Sequence, residues 1–387
     1  MERIHIMTNI YFDNSATTKI FPEVIQSMVE TMENYYGNPS SLHSLGTEAN
    51  QLLQAARQQI ADAFECEADE IYFTSGGTES NNWVLRGTAT AKREFGRHII
   101  TTQVEHPSVQ NTMNALEELG FEVTYLPVDK EGKISVKDLQ AAIRPDTILV
   151  SVMAINNEVG AIQPIEAIGD LLNDYPKIHF HVDGVQSLGK FNPVLIHPRV
   201  DFLSLSAHKF NGPRGVGILY KKANRVLDPL LTGGGQEKQQ RSSTENLAGI
   251  VATAKAIRLT LDRSVEENAR HQKMMTMLRD FLSQQPACQI FSPVDAAPHI
   301  LCFATKGVRG EVMVHALEED GIYISTTSAC SSRATGKNST TLEAMHIDGK
   351  WAQNAVRVSL GTDNTISEME EFLDILAKHL EHFERIQ

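Results

Sequence analysis

The chain is short of the features that mark membrane, secreted and nucleic-acid-binding proteins. Its 387 residues hold no apolar run near the ~20 residues a membrane-spanning helix needs. The longest, at 147–155, is broken by Ser151 and reads as a buried strand. The first ten residues lack the charged-then-apolar pattern of a secretion signal. Cysteine is scarce: Cys66, Cys288, Cys302 and Cys330 form no C-x-x-C pair, and a chain of this length needs no disulfide staples. A reduced, cytoplasmic setting is the expectation. Asn338-Ser339-Thr340 has glycosylation spacing, which means little without a secretion signal. Positive charge is in deficit, with 35 Lys and Arg against 48 Asp and Glu, a net −13. Such a surface repels phosphate backbones and argues against direct nucleic-acid binding. The one short basic run, Lys221, Lys222 and Arg225, reads as a solvated strand end. Internal repeats and long linkers are also missing.

What is present is the composition of a globular protein, 41% hydrophobic and 21% charged, at a length that fits about two domains. Apolar strand-like runs at 70–74, 98–102, 121–126, 147–154, 178–182, 202–206 and 217–220 alternate with helical patterns at 77–92, 109–119, 136–143 and 165–172. That alternation predicts an α/β fold with a mostly parallel central sheet, whose ligands sit at the carboxyl ends of the strands. A helical stretch at 247–272 is long enough to bridge two domains. Beyond it the pattern becomes α+β: strands near 300–304, 323–325 and 355–359, and helices at 311–319 and from 368. The expected division is a large domain over 15–260 and a smaller one made of 1–14 plus 261–387.

Three strand ends carry chemistry. DFLSLSAHKFNGPRGVG (201–217) delivers Ser206, His208 and Lys209 to a Gly/Pro turn. A lysine at the mouth of a parallel sheet can form a Schiff base with an aldehyde cofactor, and its neighbours can donate to a phosphate. A surface lysine beside a satisfied histidine has the same local sequence. The strand at 71–74 runs into Ser75, Gly76, Gly77 and Thr78 and then a helix. Glycines let the backbone close on an anion, and the helix N-terminus offers free N–H groups and a positive dipole end. FHVDGVQS (180–187) delivers Asp183 and Gln186, suited to a protonated pyridine nitrogen and a ring hydroxyl. The same stretch contains His179-Phe180-His181-Val182-Asp183, an H-x-H-x-D string like that of some binuclear zinc hydrolases. Gly184 stands where those enzymes usually carry a further histidine, and no second ligand cluster is evident.

Further motifs lie in order along the chain: YFDNSATT (11–18), YGNPSSLH (36–43), FTSGGTESNN (73–82), EHPSV (105–109), NNEVG (156–160), HVDGVQS (181–187), SAHK (206–209), GGGQE (233–237), SAC (328–330) and VRVSLG (356–361). Together they resemble the class V pyridoxal-phosphate enzymes, and among these the cysteine desulfurases of the NifS/IscS type. The resemblance covers nearly the whole chain. It implies the aspartate aminotransferase-like fold (fold type I), pyridoxal 5'-phosphate as cofactor, and L-cysteine as substrate. It implies that Lys209 carries the cofactor and moves protons, and that His106 stacks on its ring and assists. Gly77, Thr78, Ser206 and His208 would hold the phosphate, Asp183 the ring nitrogen and Gln186 the ring hydroxyl. Asn157 and Arg357 would bind the substrate carboxylate, which suits a bidentate guanidinium. Thr244 would reach the phosphate of a partner subunit, so a homodimer is expected. Ser243 departs from the family's usual glycine before that threonine, which puts the Thr244 contact in question.

Cys330 carries the distinctive chemistry implied. It lies in STTSACSSRATGKNSTT (325–341), where ten of seventeen residues are Ser or Thr. So polar a stretch has little to bury and reads as a mobile loop. A thiolate there can attack the substrate's sulfur and carry it away as a persulfide. The other three cysteines read as structural. The reaction implied converts L-cysteine to L-alanine and passes sulfur to an acceptor protein. HFHVDGVQSLGK and GGGQEK resemble the bacterial members that supply a tRNA-thiolating partner, with iron–sulfur scaffolds as the alternative. Selenocysteine lyase, a class V aminotransferase that does not need Cys330, and a silent scaffold are the rival activities.

Overall fold

The computed structural model describes residues 9–327 and 339–386. In chain order its strands are β1 (Ile10–Tyr11), β2 (Ile71–Thr74), β3 (His98–Thr102), β4 (Glu122–Leu126), β5 (Thr147–Met153), β6 (His179–Asp183), β7 (Phe202–Ser206), β8 (Gly217–Lys221), β9 (Cys288–Ile290), β10 (Ile300–Thr305), β11 (Ile322–Tyr323), β12 (Ser325–Thr326) and β13 (Ala355–Ser359). Seven of them form the central sheet in the order β2-β8-β7-β6-β5-β3-β4. The α/β fold with a mostly parallel sheet is as expected. The pairs β3–β4, β3–β5, β5–β6 and β6–β7 are parallel, and β8 runs antiparallel to both its neighbours. β8 reverses because the chain leaves β7 through a tight turn at Ala207–Lys209 and returns directly. Since β2 opposes β8, it points the same way as the parallel strands. The carboxyl ends of β2, β3, β5, β6 and β7 therefore share one edge.

Each element follows from its residues. β5 (TILVSVM) and β6 (HFHVD) are buried throughout, as strands covered on both faces must be. Helices Gly77–Ala91, Pro107–Glu118, Val136–Ala142 and Ile165–Leu172 fall where the apolar spacing predicts them. Two helices before residue 65 were not expected: Pro22–Asn34 and Ser44–Phe64, both packed on helix Leu247–Ser283. Pro22–Asn34 turns Val24 and Thr31 inward and leaves Ile25, Val29 and Met32 exposed. Helix Leu247–Ser283 also runs beyond the expected end at 272. Its first half buries Ile250, Ala254 and Ile257 in the large core, and its last turns bury Met274, Leu278 and Leu282 in another. That second core gathers Phe12, Leu301, Phe303, Val358 and Phe372 around the antiparallel sheet β12-β13-β10-β9. β1 joins it from the other end of the chain, pairing in parallel with β11. Among the described residues no helix is long and apolar enough to cross a membrane.

Asp201 sets the start of β7. It is fully buried and accepts from Arg199 Nη1 (2.7 Å), Arg225 Nε (2.8 Å) and the Phe180 N–H (2.9 Å). Removing one partner of a buried pair strands the other charge. Asp201→Ala is expected to lower the unfolding free energy in urea by about 3–5 kcal/mol. A loss under about 1 kcal/mol, within the range of an exposed pair, would contradict this role.

Candidate active site

The anion cradle forms where β2 gives way to helix Gly77–Ala91. A Cβ on Gly77 would lie 2.6 Å from Val185 Cγ2. One on Gly217, in β8 alongside, would lie 2.4 Å from Thr74 Oγ1 and 2.6 Å from the Gly76 backbone. Both positions exclude any side chain, so the backbone packs closely and leaves the first-turn N–H groups facing outward. Thr78 is exposed in that first turn. Buried Ser206, ending β7, puts its Oγ 3.7 Å from where a Gly76 Cβ would stand. The donor set fits a phosphate group.

His208 and Lys209 follow in the Ala207–Lys209 turn. His208 Nδ1 meets Thr17 Oγ1 at 3.2 Å, and burial, reinforced by Lys209 and Arg214, pushes its pKa down to about 4. It is neutral near pH 7 and acts through a hydrogen bond. Lys209 Nζ donates to the carbonyls of Ser15 (2.5 Å) and Ala16 (2.9 Å). Gln186 Nε2 donates to the same Ser15 carbonyl at 3.0 Å, so the YFDNSATT segment ties these two side chains together.

Asp183 ends β6, 4% exposed, and accepts from Asn81 Nδ2 (2.8 Å) and the Val185 N–H (3.0 Å). Asn81 Nδ2 also donates to Ser108 Oγ (2.9 Å), which bonds His106 Nδ1 at 2.8 Å. The Ser108 N–H donates to the same Nδ1 at 3.1 Å. Nδ1 is therefore an acceptor, and the imidazole carries its proton on Nε2. Burial lowers the His106 pKa, Asp183 opposes that shift and Lys209 adds to it.

Arg357 in β13 donates to the Asn157 carbonyl (2.9 Å) and to Asp13 Oδ1 (2.7 Å), while its buried Nε has no partner. Asn156 shapes the turn beneath, its Oδ1 accepting from the Glu158 and Val159 N–H groups at 2.9 Å each. Thr244 is exposed and lines a cavity with Thr74 and Ser75 on the outer side of the cradle. Cys330 lies outside the described residues. Burial raises the thiol pKa of Cys288, of Cys302 and, to about 12, of Cys66, so these three stay protonated near pH 7.

The H-x-H-x-D string does not present a metal site. His181 sits between Ser151 Oγ (2.8 Å) and Ser204 Oγ (2.9 Å), and His179 Nδ1 bonds Thr88 Oγ1 at 3.0 Å. Among the described residues no three His, Cys, Asp or Glu side chains are grouped to hold a metal ion.

The sequence did not single out Asn81, Ser108, Asp13, Gly217 or Glu105. TESN and EHPS stood out only as parts of the motifs that carry the family resemblance. The spacing of Asn81 one turn beyond Gly77, on the same helix face, is the signal that points to it.

Glu105 is fully enclosed beside His106. Its Oε1 accepts from Thr102 Oγ1 (2.8 Å) and the Met153 N–H (2.9 Å), and its Oε2 has no partner. Burial, with nearby Asp183 adding, pushes its pKa up to about 8. A folded-state pKa above the unfolded one favours the fold below the ordinary carboxylate range, and that contribution is lost as pH rises through about 8. Glu105→Gln is expected to gain stability relative to the wild type from about pH 5 to about pH 9. Parallel stability curves in urea across that range would contradict it.

The class-V aminotransferase family model matches residues 10–372. A NifS/IcsS protein homolog of Lactobacillus delbrueckii subsp. bulgaricus is 54% identical over 97% of this chain and 98% of its own length. The cysteine desulfurase IscS of Clostridium botulinum is 41% identical over 95% of this chain and 94% of its own. Among solved structures, a NifS-like protein superposes with a TM-score of 0.91 at 37% identity, covering 98% of this chain and all of that one. SspA in complex with cysteine gives 0.78 at 32% identity, over 91% of this chain and 98% of that one.

Proposed function

The chain belongs to the class-V aminotransferase family, and from that premise we propose that it is a cysteine desulfurase, converting L-cysteine to L-alanine and loading the sulfur on Cys330. The observation that carries this reading is the shared edge of the sheet. One anion cradle, one lysine, one buried aspartate and one oriented histidine meet there, in a chain 41% identical to a desulfurase.

Pyridoxal 5'-phosphate fits this donor set. Thr78, Ser206, His208 and the Gly77 backbone would take its phosphate, Asp183 its ring nitrogen, Gln186 its ring hydroxyl and Lys209 its aldehyde carbon. Bound there, the group supplies an electron sink for the pair left when the substrate loses its Cα proton. Asn157 and Arg357 hold the substrate carboxylate, for which Arg357 has Nε to offer. Lys209 would be the base that takes the Cα proton. His106 presents its Nε2–H to the ring side. The Cys330 thiolate attacks the substrate's sulfur: a new S–S bond forms, the Cβ–S bond breaks, and its electron pair stays with the organic fragment. That fragment gains protons and leaves as alanine.

Residues 15–260 form the cofactor domain in this reading. Residues 1–14 and 261–387 form the smaller one, which carries Cys330. Two copies make the enzyme, because an apolar face is left uncovered. Ile25, Val29, Met32, Tyr36 and Leu42 are exposed, Leu42 completely. In that dimer Thr244 would reach its neighbour's phosphate. The sulfur acceptor is a tRNA-thiolating protein of the cytoplasm, in preference to an iron–sulfur scaffold.

The test is a single turnover of the purified holoenzyme with L-cysteine. Alanine and a persulfide on Cys330 should appear in equal amounts. Cys330→Ser should slow alanine formation by about 100-fold or more, the scale of losing a nucleophile, while Cys66→Ser and Cys288→Ser leave it unchanged. Alanine release at the wild-type rate by Cys330→Ser would sink the assignment.

A further inference from the structure

The segment 233–244 holds a backbone that its residue types disfavour. Glu237, Lys238 and Gln239 have φ of 47°, 58° and 63°, three left-handed residues in a row with no glycine among them. Side-chain sterics make such a run rare, and strain of this kind persists only where its surroundings over-determine it.

Two Arg–Glu pairs supply that over-determination. Glu237 is buried; its Oε1 accepts from Arg57 Nη2 (2.6 Å) and its Oε2 from Arg57 Nη1 (2.9 Å) and the Phe73 N–H (3.0 Å). Arg57 is equally buried, lies over the Phe73 ring at 4.7 Å and donates to the Ile71 carbonyl at 2.6 Å. Four residues after Glu237, Arg241 donates through Nε to Glu79 Oε1 (2.7 Å) and through Nη2 to Oε2 (3.0 Å). Glu79 Oε2 also accepts from the Ser75 N–H at 2.8 Å. The loop closes on itself where Gln236 Oε1 accepts from the Ser243 N–H at 3.1 Å.

These contacts grip β2 and the cradle from one side. Phe73 and Ser75 lie on the strand and turn that lead to Gly77 and Thr78. Their N–H groups are bonded by the carboxylates of Glu237 and Glu79. The charges are arranged with the same economy. Glu79 lies in the first turn of the cradle helix, where an unpaired carboxylate would repel a phosphate, and Arg241 offsets it. Neither pair touches Lys209, Asp183 or His106, so the chemistry itself does not account for them.

We propose that Glu237 and Arg241 are positioning residues for the cofactor's phosphate. They lock the strained segment onto the cradle of their own subunit, so that the cradle and Thr244, aimed at the partner's phosphate, are held as one unit. Loosening the segment therefore loosens phosphate binding in both sites of a dimer. This rests on the reading of Thr244 given above.

The test measures cofactor release from the holoenzyme, followed as the pyridoxal phosphate that stays with the protein after timed dialysis. Arg57→Met combined with Glu237→Leu removes the buried pair without stranding a charge, which preserves folding. This variant and Arg241→Gln should each release cofactor about tenfold faster or more, the scale of losing a charged hydrogen bond. Release should quicken by more than any change in the apoprotein's Tm accounts for, and Arg241→Lys should recover part of the loss. Wild-type release by both variants, or faster release only in step with a lower apoprotein Tm, overturns the inference. Thr244→Ala separates the two readings. Wild-type release by this variant removes Thr244 from the phosphate site and overturns the inference with it. Fast release by Thr244→Ala with slow release by the other variants overturns the inference alone.

Discussion

One side-chain amide holds the two halves of the proposed cofactor site in register. Asn81 gives one N–H to Asp183 and the other to Ser108, and Ser108 in turn fixes His106 with Nδ1 as acceptor. The carboxylate at the end of β6 and the imidazole at the start of helix Pro107–Glu118 are thus set by a single group. Asn81 belongs to the helix whose N-terminus forms the anion cradle. Residues one helical turn apart share a face, so Asn81 reaches inward to β6 from the face that carries Gly77. The proposed phosphate and ring positions and His106 are consequently not independent. They move only if helix Gly77–Ala91 moves, and glycines 77 and 217 leave it almost no room to do so.

The sheet and the strand ends were legible in the sequence because buried parallel strands read as continuous apolar runs bounded by turns. Lys209, Asp183 and the Gly76-Gly77-Thr78 turn stand at such boundaries, where polar residues after apolar runs are conspicuous. Asn81 and Ser108 were not legible because a polar residue inside a helix looks the same whether it faces water or a buried carboxylate. Glu105 was hidden for a related reason: nothing local tells that EHPS is enclosed on all sides. Helix Pro22–Asn34 is amphipathic, so its period was there to be read although Ile25, Val29 and Met32 stay exposed. The extension of helix Leu247–Ser283 was hidden because its two halves bury different sides in different cores.

Long-range ties account for the remaining geometry. The segment 11–18 starts in the second core at Phe12, then supplies the Ser15 and Ala16 carbonyls to Lys209, while Asp13 holds Arg357. A single stretch of chain therefore links the lysine of one core to the arginine of the other. The Arg57–Glu237 and Arg241–Glu79 pairs do the same for the cradle and the segment beside it. None of these ties can be inferred from spacing, because each joins residues far apart in the chain.

The most direct measurement of the central claim is reduction of the holoenzyme with borohydride, followed by peptide mapping. Borohydride fixes a Schiff base as a stable secondary amine. The account predicts one pyridoxyl group per chain, on the peptide containing Lys209, and none in Lys209→Ala. Modification of any other lysine in the wild type, or an unmodified chain under conditions where the enzyme turns over cysteine, would contradict it.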